Sequence, residues 1–416
     1  MRVLAVCQYY WPEPFSIDDV CEELVRRGHS VTVLTGLPNY PEGSIPNEYK
    51  HGRNREQRRN GVRIVRTPIV ARGANLRKGG AVSRVANYLS YAISGSLKAL
   101  EISNEYDVVV VFQFSPVFMA LPGIRYAKRA RVPLLLYCFD LWPEDMLAGG
   151  MRRNGIPFRV VKMASKAIYS KADTIAVTSP GFETYFREYL ELADRRFCLL
   201  PQYAEERFEQ MDPGNHLKDD GTCDFVFAGN IGENQAVDVI VRAAALLKND
   251  PVIRIHVVGS GSRYEECKSL ATELGATNVA FYGRQPIEKM PSFYRMADAM
   301  ILTLSRPAND SVVTSYTIPR KIQSYLAVGK PLIVSAPGAS RRIVRDAACG
   351  ICCAAEDPEG LALSMKSFVS LDQKERDEMG IRSRTLYHNV FSKEKFFRRF
   401  EEELESLTRI AHDNRA

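Results

Sequence analysis

Lys321 is the side chain whose type and position point most directly to binding chemistry. It stands in the segment TIPRKIQSYLAVGKPLIVS, where Pro319 opens a helix over Arg320–Val328, Gly329 stops it and Pro331 lies beyond. Proline at a helix start and glycine just past its end is the expected asymmetry. The free N–H groups of a helix start attract anions such as phosphate, and Lys321 in the first turn adds a full positive charge. A plain structural helix with a solvated lysine fits the same residues. Two glycine-rich turns lie upstream, Gly229-Asn230-Ile231-Gly232 and Gly259-Ser260-Gly261, each after an apolar run. Glycine lets a backbone approach a phosphate closely. It also ends strands for geometric reasons, and neither turn is a full dinucleotide fingerprint. In the first half of the chain, Asp140 follows the apolar run Leu134–Phe139 in FDLWPED. A carboxylate there can orient a hydroxyl or accept its proton, or it can cap the turn before Trp142-Pro143. Glu144 is a second carboxylate candidate. Asn39 and Tyr40, within GLPNYPEG, can line a cleft or simply shape a turn.

The elements that must hold these residues alternate. Strand Arg2–Cys7, helix Ile17–Arg27 stopped by Gly28, and strand Val31–Thr35 form a βαβ start. A strand over Val62–Pro68 and a long helix over Ala81–Leu100 follow, then buried strands Val108–Phe112, Leu134–Phe139, Thr174–Thr178 and Phe197–Leu200. The polar stretch from Glu205 to Cys223, with Pro213 and Gly214, reads as a linker. The pattern then restarts with Phe225–Ala228, Arg254–Val258, Val279–Tyr282, Ala299–Leu304, Leu332–Ser335 and Gly350–Ala354 as strands. In open parallel sheets ligands sit beyond the carboxyl ends of the strands, which is where Asp140, the glycine turns and the Lys321 helix fall. The expected domains are 1–201, a linker 202–223, 224–391 and a C-terminal amphipathic helix 392–416.

A chain of 416 residues, 45% hydrophobic and 25% charged, is ordinary globular material for two domains. No apolar run reaches the ~20 residues of a membrane span. The start, MRVLAVCQYYW, is too soon polar for a signal peptide, so a cytoplasmic protein is expected. Cys349, Cys352 and Cys353 lack a second ligand pair at zinc-like spacing and read as part of a core strand.

Taken together, WPEP, RRGHSVTVLTGLPNYPEG, FDLWPED, FAGNIGENQ, VVGSGS, FYGRQP, FYRMADAMILTL and TIPRKIQSYLAVGKPLIVS resemble family 4 of the retaining glycosyltransferases. Their PNYPEG, DLWPE and GNIG pieces resemble the branch that builds bacterial surface polysaccharides such as O-antigen and colanic acid. The resemblance implies an α/β protein of GT-B fold, with two facing Rossmann-like domains and parallel sheets. It implies a nucleotide sugar donor, UDP-linked in this expectation, held by the second domain. Gly229, Asn230, Gly232, Gln235, Gly259 and Ser260 would bind it, with Gly283, Arg284, Tyr316, Thr317, Arg320 and Ser324. Lys321 would meet the charge of the leaving diphosphate. On the acceptor side the resemblance points to Ser16, Asn39, Tyr40 and Glu144, with Asp140 in the catalytic role. The acceptor would be a lipid-linked saccharide, reached by front-side attack. Neither cofactor nor metal is expected, as no DxD-like acidic pair lies near the site.

The chain departs from many relatives at three places. Tyr316 and Ser324 stand where two glutamates are usual, Asn230 and Gln235 where an arginine and a lysine are usual, and Phe139-Asp140 where a His-Asp pair is usual. Two rivals remain: a sugar-nucleotide 2-epimerase of the same architecture, and a non-catalytic binding protein that kept the fold. A nicotinamide enzyme fits less well, for want of a fingerprint and its ribose-binding acid. Finally, between Lys50 and Arg84 lie Arg53, Arg55, Arg58, Arg59, Arg63, Arg66, Arg72, Arg77 and Lys78, with Glu56 as the acid among them. No aromatic stacking platform accompanies them, so nucleic acid is not expected. Docking of this region to an anionic membrane surface is expected instead, with the protein peripheral on the inner face of the cell membrane.

Overall fold

Near-continuous runs of Val, Leu and Ile are what strands buried on both faces require, and they set the architecture. The computed structural model describes residues 1–73, 80–148, 150–212, 221–307 and 312–413. Arg77 and Lys78 of the basic run, and Pro213 and Gly214 of the expected linker, lie outside the described residues. The chain divides into two compact units: Met1–Thr178 with Glu183–Leu199 and Phe400–Ala416, and Ser179–Phe182 with Leu200–Arg399.

The first unit is built on strands β1 (Arg2–Val6), β2 (Ser30–Gly36), β3 (Glu56–Arg59), β4 (Val62–Thr67), β5 (Val108–Gln113), β6 (Leu134–Cys138), β7 (Thr174–Val177) and β8 (Arg196–Leu199). They lie in the order β3-β4-β2-β1-β5-β6-β7-β8. Every pairing is parallel except β3 against β4. From β1 the chain steps one way to β2, and from β5 it steps the other way to β6 and β7. Right-handed crossovers therefore put helix Ile17–Arg26 on one face, and helices Gly80–Glu101, Leu121–Ala130 and Ile156–Tyr169 on the other. The last helix, Lys393–Asp413, is tied to this unit through Glu401 on Arg27 (3.3 Å) and His29 (3.0 Å), and Glu403 on Thr174 and Arg196 (both 2.8 Å).

Strand β3 was not expected. Asn60 and Gly61 both have positive φ (47° and 84°) and turn it back on β4 as a hairpin. The folded chain also corrects the picture of nearly unopposed arginines. Helix Ile17–Arg26 supplies acids from far upstream: Arg59 meets Asp18 (3.3 Å) and Glu22. Arg63 pairs with Glu56 at 3.0 Å. Arg66 is buried, with Nη2 donating to the Trp11 carbonyl at 2.6 Å.

The second unit holds β9 (Cys223–Ala228), β10 (Ile253–Val258), β11 (Val279–Gly283), β12 (Ala299–Thr303), β13 (Leu332–Ser335) and β14 (Gly350–Cys353), in the parallel order β11-β10-β9-β12-β13-β14. Apolar clusters fill both faces of this sheet. Cys349 and Cys353 lie buried in it, their Sγ atoms directed at backbone carbonyls. Part of the stretch read as a linker is packed: Glu206–Glu209 is a helical turn whose Phe208 stacks on Tyr294 at 4.8 Å. Phe208 and Met211 are apolar enough to anchor it there.

Candidate functional site

In the second unit, the Arg320–Val328 helix is clipped to the end of β9. The Tyr325 hydroxyl accepts from the Ala228 N–H (3.0 Å) and donates to the Ala228 carbonyl (2.9 Å). That clip carries Lys321, one turn earlier, to the first glycine turn. Its ammonium donates to the Gln235 Oε1 and lies 4.2 Å from the centre of the Phe227 ring, whose face attracts cations. Gly229 makes the room: a Cβ there would stand 3.1 Å from the Lys321 Nζ. No carboxylate pairs with Lys321 among the described residues. Burial without a counter-charge pushes its pKa down to about 7. A half-buried, desolvated cation with one neutral hydrogen-bond partner, beside a bare glycine and a helix start, is a place prepared for an anion.

The two glycine turns are packed backbone to backbone. A Cβ on Gly259 would stand 1.8 Å from the Gly229 carbonyl oxygen, and one on Gly261 would stand 2.3 Å from that of Ile231. The N–H of Gly229 donates to Val258 O (2.9 Å), that of Ile231 to Ser260 O (3.0 Å) and that of Gly259 to Gly283 O (2.9 Å). These donors are committed to holding the turns together. Ser260 and Arg284 are exposed on the neighbouring loops, Asn230 is exposed at the tip of its turn, and Gly232 leaves space for its amide. Tyr316 ends a short helical turn, Val313–Tyr316, and its carbonyl accepts from the Ser179 hydroxyl. The Thr317 carbonyl accepts from Ser340 at 2.9 Å. Arg320 is half-buried in the first helical turn, and Ser324 is buried further along the same helix. The structure thus brings Lys321, Gly229 and Gln235 together and sets Ser260 and Arg284 apart on exposed loops. Sequence reasoning missed Phe227, which sits unmarked in a buried strand. It also missed Tyr325, whose signal was a hydroxyl within a buried helical segment.

In the first unit, Asp140 follows β6. Its Oδ2 accepts from the Ser115 N–H and hydroxyl, both at 2.8 Å. The Ser115 oxygen also lies 3.1 Å from Asp145 Oδ2 and accepts from Trp142 Nε1 at 2.8 Å. Ser115 has one hydroxyl proton, so with that proton on Asp140 it is Asp145 that must be protonated and donate. Burial raises both carboxyls, and the charge of Asp140 pushes Asp145 up further. Asp140 Oδ1 takes no partner among the described residues, leaving one oxygen available to a hydroxyl. Neither Ser115 nor Asp145 was singled out from the sequence; their link to Asp140 exists only in the fold.

Glu144 is buried and bidentate to Arg153 (2.9 and 2.7 Å), so both its oxygens are engaged. Asn39 is buried in a polar network. It accepts from Arg72 N and Asn87 Nδ2, both at 3.1 Å. Glu13 binds this loop to its own: its Oε1 accepts from the N–H groups of Asn39 and Tyr40 (both 2.8 Å), and its Oε2 from that of Tyr10 (3.2 Å). Burial raises the Glu13 carboxyl to about 7 in spite of these donors. Tyr40 is half-buried against Phe15, with ring centres 5.1 Å apart, and Phe15 in turn meets Phe114 at 5.2 Å. Ser16 stands just before helix Ile17–Arg26 without a side-chain capping bond. Among the described residues no group of three His, Cys, Asp or Glu could hold a metal ion.

Comparison with known proteins follows the same division. Residues 209–386 match the model of the family described as glycosyl transferases group 1, and residues 16–202 match that of a glycosyl transferase 4-like domain. WcaI of Escherichia coli (strain K12), described as a colanic acid biosynthesis glycosyl transferase, is 24% identical over 351 residues, covering 81% of this chain and 83% of that protein. WbjE of Pseudomonas aeruginosa, described as a glycosyltransferase, is 26% identical over 62% of this chain and 64% of its own length. The solved structure of Anabaena HepE in complex with UDP superposes with a TM-score of 0.69 at 13% identity, covering 98% of this chain and all (100%) of that one. At that identity the likeness shows a shared fold.

Proposed function

Because the chain belongs to the group 1 glycosyltransferases of GT-B fold, we propose that it moves a sugar from a UDP-linked donor to a lipid-linked saccharide in surface polysaccharide assembly, with retention at the anomeric carbon. The observation that carries this is the half-buried Lys321 ammonium, which has no carboxylate partner among the described residues and faces the Gly229 turn. The name of WcaI supports the polysaccharide setting, and the UDP in the HepE structure supports the donor class. In this proposal the second unit holds the donor. Lys321 and the N–H groups at the start of its helix stabilise the diphosphate as its bond to the anomeric carbon breaks. Asn230, Gln235, Arg320 and the backbone of Thr317 surround it. The first unit holds the acceptor. Asp140 orients the attacking hydroxyl through its open Oδ1, and the hydroxyl's proton leaves with the diphosphate as the new bond forms on the same face. Glu144, Asn39 and Glu13 keep that half of the site in shape. Among the described residues no helix is long and apolar enough to cross a membrane, and the proposed place of action is the inner surface of the cell membrane.

Calorimetry with UDP tests the donor half. The wild type should bind, and Lys321→Ala should lose about 1.5–3 kcal/mol, roughly ten- to a hundredfold. Equal affinity in the two proteins would remove Lys321 from the site.

A further inference from the structure

We propose that the face of the first unit formed by helices Gly80–Glu101, Leu121–Ala130 and Ile156–Tyr169 docks on an anionic lipid bilayer. The first helix is apolar on two opposite sides. Asn87, Tyr91, Gly95 and Ala99 lie buried along one. Val82, Val85, Leu89, Ile93, Leu97 and Leu100 follow one another at three- and four-residue steps along the other, and all are exposed, Val82 to 76% and Ile93 to 62%. A stripe of that spacing is one helix face, and scattered exposure of single apolar residues does not produce it. The third helix repeats the pattern with Ile156 (77% exposed), Val160 and Met163 (73%). The two helices share a neighbour, as both pack against the turn Val117–Ala120. Leu121–Ala130, also on this face, turns a basic row outward: Arg125 and Lys128, continued by Arg131 just past its end.

Charge decides the occupant. Arg159 and Lys162 flank the third stripe, Lys166 beside them is paired with Glu191 at 2.7 Å, and the three helices contain one acidic residue between them, Glu101, which pairs with Lys98 at 3.0 Å. A second copy of this chain would have to bury the basic row with no carboxylates to meet it. Apolar side chains beside basic ones fit the boundary between acyl chains and anionic headgroups. The hairpin arginines fit it less well, since Arg59 and Arg63 are already neutralised within the fold and Arg66 is buried. The use of such docking, to reach a lipid-linked acceptor, rests on the proposed function; the docking itself does not.

Flotation with vesicles of phosphatidylcholine, with and without phosphatidylglycerol, tests it. The wild type should float with the anionic vesicles and release with added salt. Serine at Val85, Leu89 and Ile93 together, or at Arg125, Lys128 and Arg131 together, should lower the bound fraction about tenfold or more, while serine at Arg53, just before the hairpin, and Arg58, within it, should leave it unchanged. All replaced side chains are exposed, so circular dichroism should remain that of the wild type. Transfer to a water-soluble acceptor analogue should also be unchanged in these variants. A failure of transfer in the wild type counts against the proposed function alone. Equal flotation of the wild type and both triple variants would overturn the docking face. So would a dimer in sedimentation that the apolar triple variant abolishes, which would assign the face to a second copy.

Discussion

A residue that is useful at a cost leaves a particular signature, and Lys321 should show it. Its folded pKa of about 7 lies far below the 10.5 of an unburied lysine. The penalty on the free protein is full below pH 7, where the folded chain carries the desolvated charge. It fades between 7 and 10.5, where the unfolded chain still binds the proton and the folded one does not. Lys321→Met should therefore be more stable than the wild type by about 1–3 kcal/mol near pH 6 in urea denaturation, with the difference shrinking toward pH 10. The same variant should bind UDP poorly. A methionine variant that is less stable at pH 6 would make Lys321 a structural residue. Asp140 calls for a different test. Asp140→Asn keeps an acceptor for the Ser115 N–H but cannot take or steer a proton as a carboxylate does. Turnover should fall about 10²–10⁴-fold with UDP affinity intact. Full activity, or an unfolded variant, would return Asp140 to a turn-capping role.

At the scale of elements, each unit has a loop pairing that shapes its own candidate residues. The glycine turns after β9 and β10 meet where any Cβ on Gly259 would collide with the Gly229 carbonyl at 1.8 Å. Gly259→Ala should cost about 2 kcal/mol or more and weaken UDP binding by displacing the Gly229 turn; an alanine variant with unchanged UDP affinity would uncouple the two turns. In the first unit Glu13 ties the WPEP loop to the Asn39-Tyr40 loop through the N–H groups of Asn39 and Tyr40, and braces its own loop through that of Tyr10. Glu13→Ala leaves those N–H groups without their acceptor and should cost about 2–4 kcal/mol in denaturant unfolding. A change under 1 kcal/mol, roughly the value of a surface contact, would show that water replaces the carboxylate at no loss. These pairings explain what was legible in the chain. The strands and helices were visible because their periodicity is local, as in Val108–Phe112 or Arg320–Val328. Glycines 229 and 259 were visible as glycines. Their collision geometry was not, since it belongs to two strands lying side by side. Asn60-Gly61 is a strong hairpin signal that the arginine run concealed, and Glu13 read as one more turn residue.

The whole molecule follows the same rule. Two parallel sheets could be anticipated from alternating strands and helices, whereas their strand order and the neutralisation of Arg59 by Asp18 and Glu22 could not, the latter because the partners lie 41 and 37 positions apart. The long helix Gly80–Glu101 illustrates the limit from the other side. Tyr91, Ala92 and Ala99 are buried, but the apolar stripe from Val82 to Leu100 faces outward. Sequence periodicity tells that a helix has an apolar face, and only the fold tells which of two is covered. Glycosyl transfer by this protein is tested by mass spectrometry of its reaction products. The purified protein would be incubated with a panel of UDP- and GDP-sugars, with and without lipid-linked saccharide acceptors. The expected product is an acceptor heavier by one glycosyl unit, with release of the nucleoside diphosphate only when the acceptor is present. Conversion of the donor sugar without any acceptor, or an unaltered donor in every mixture, would contradict it.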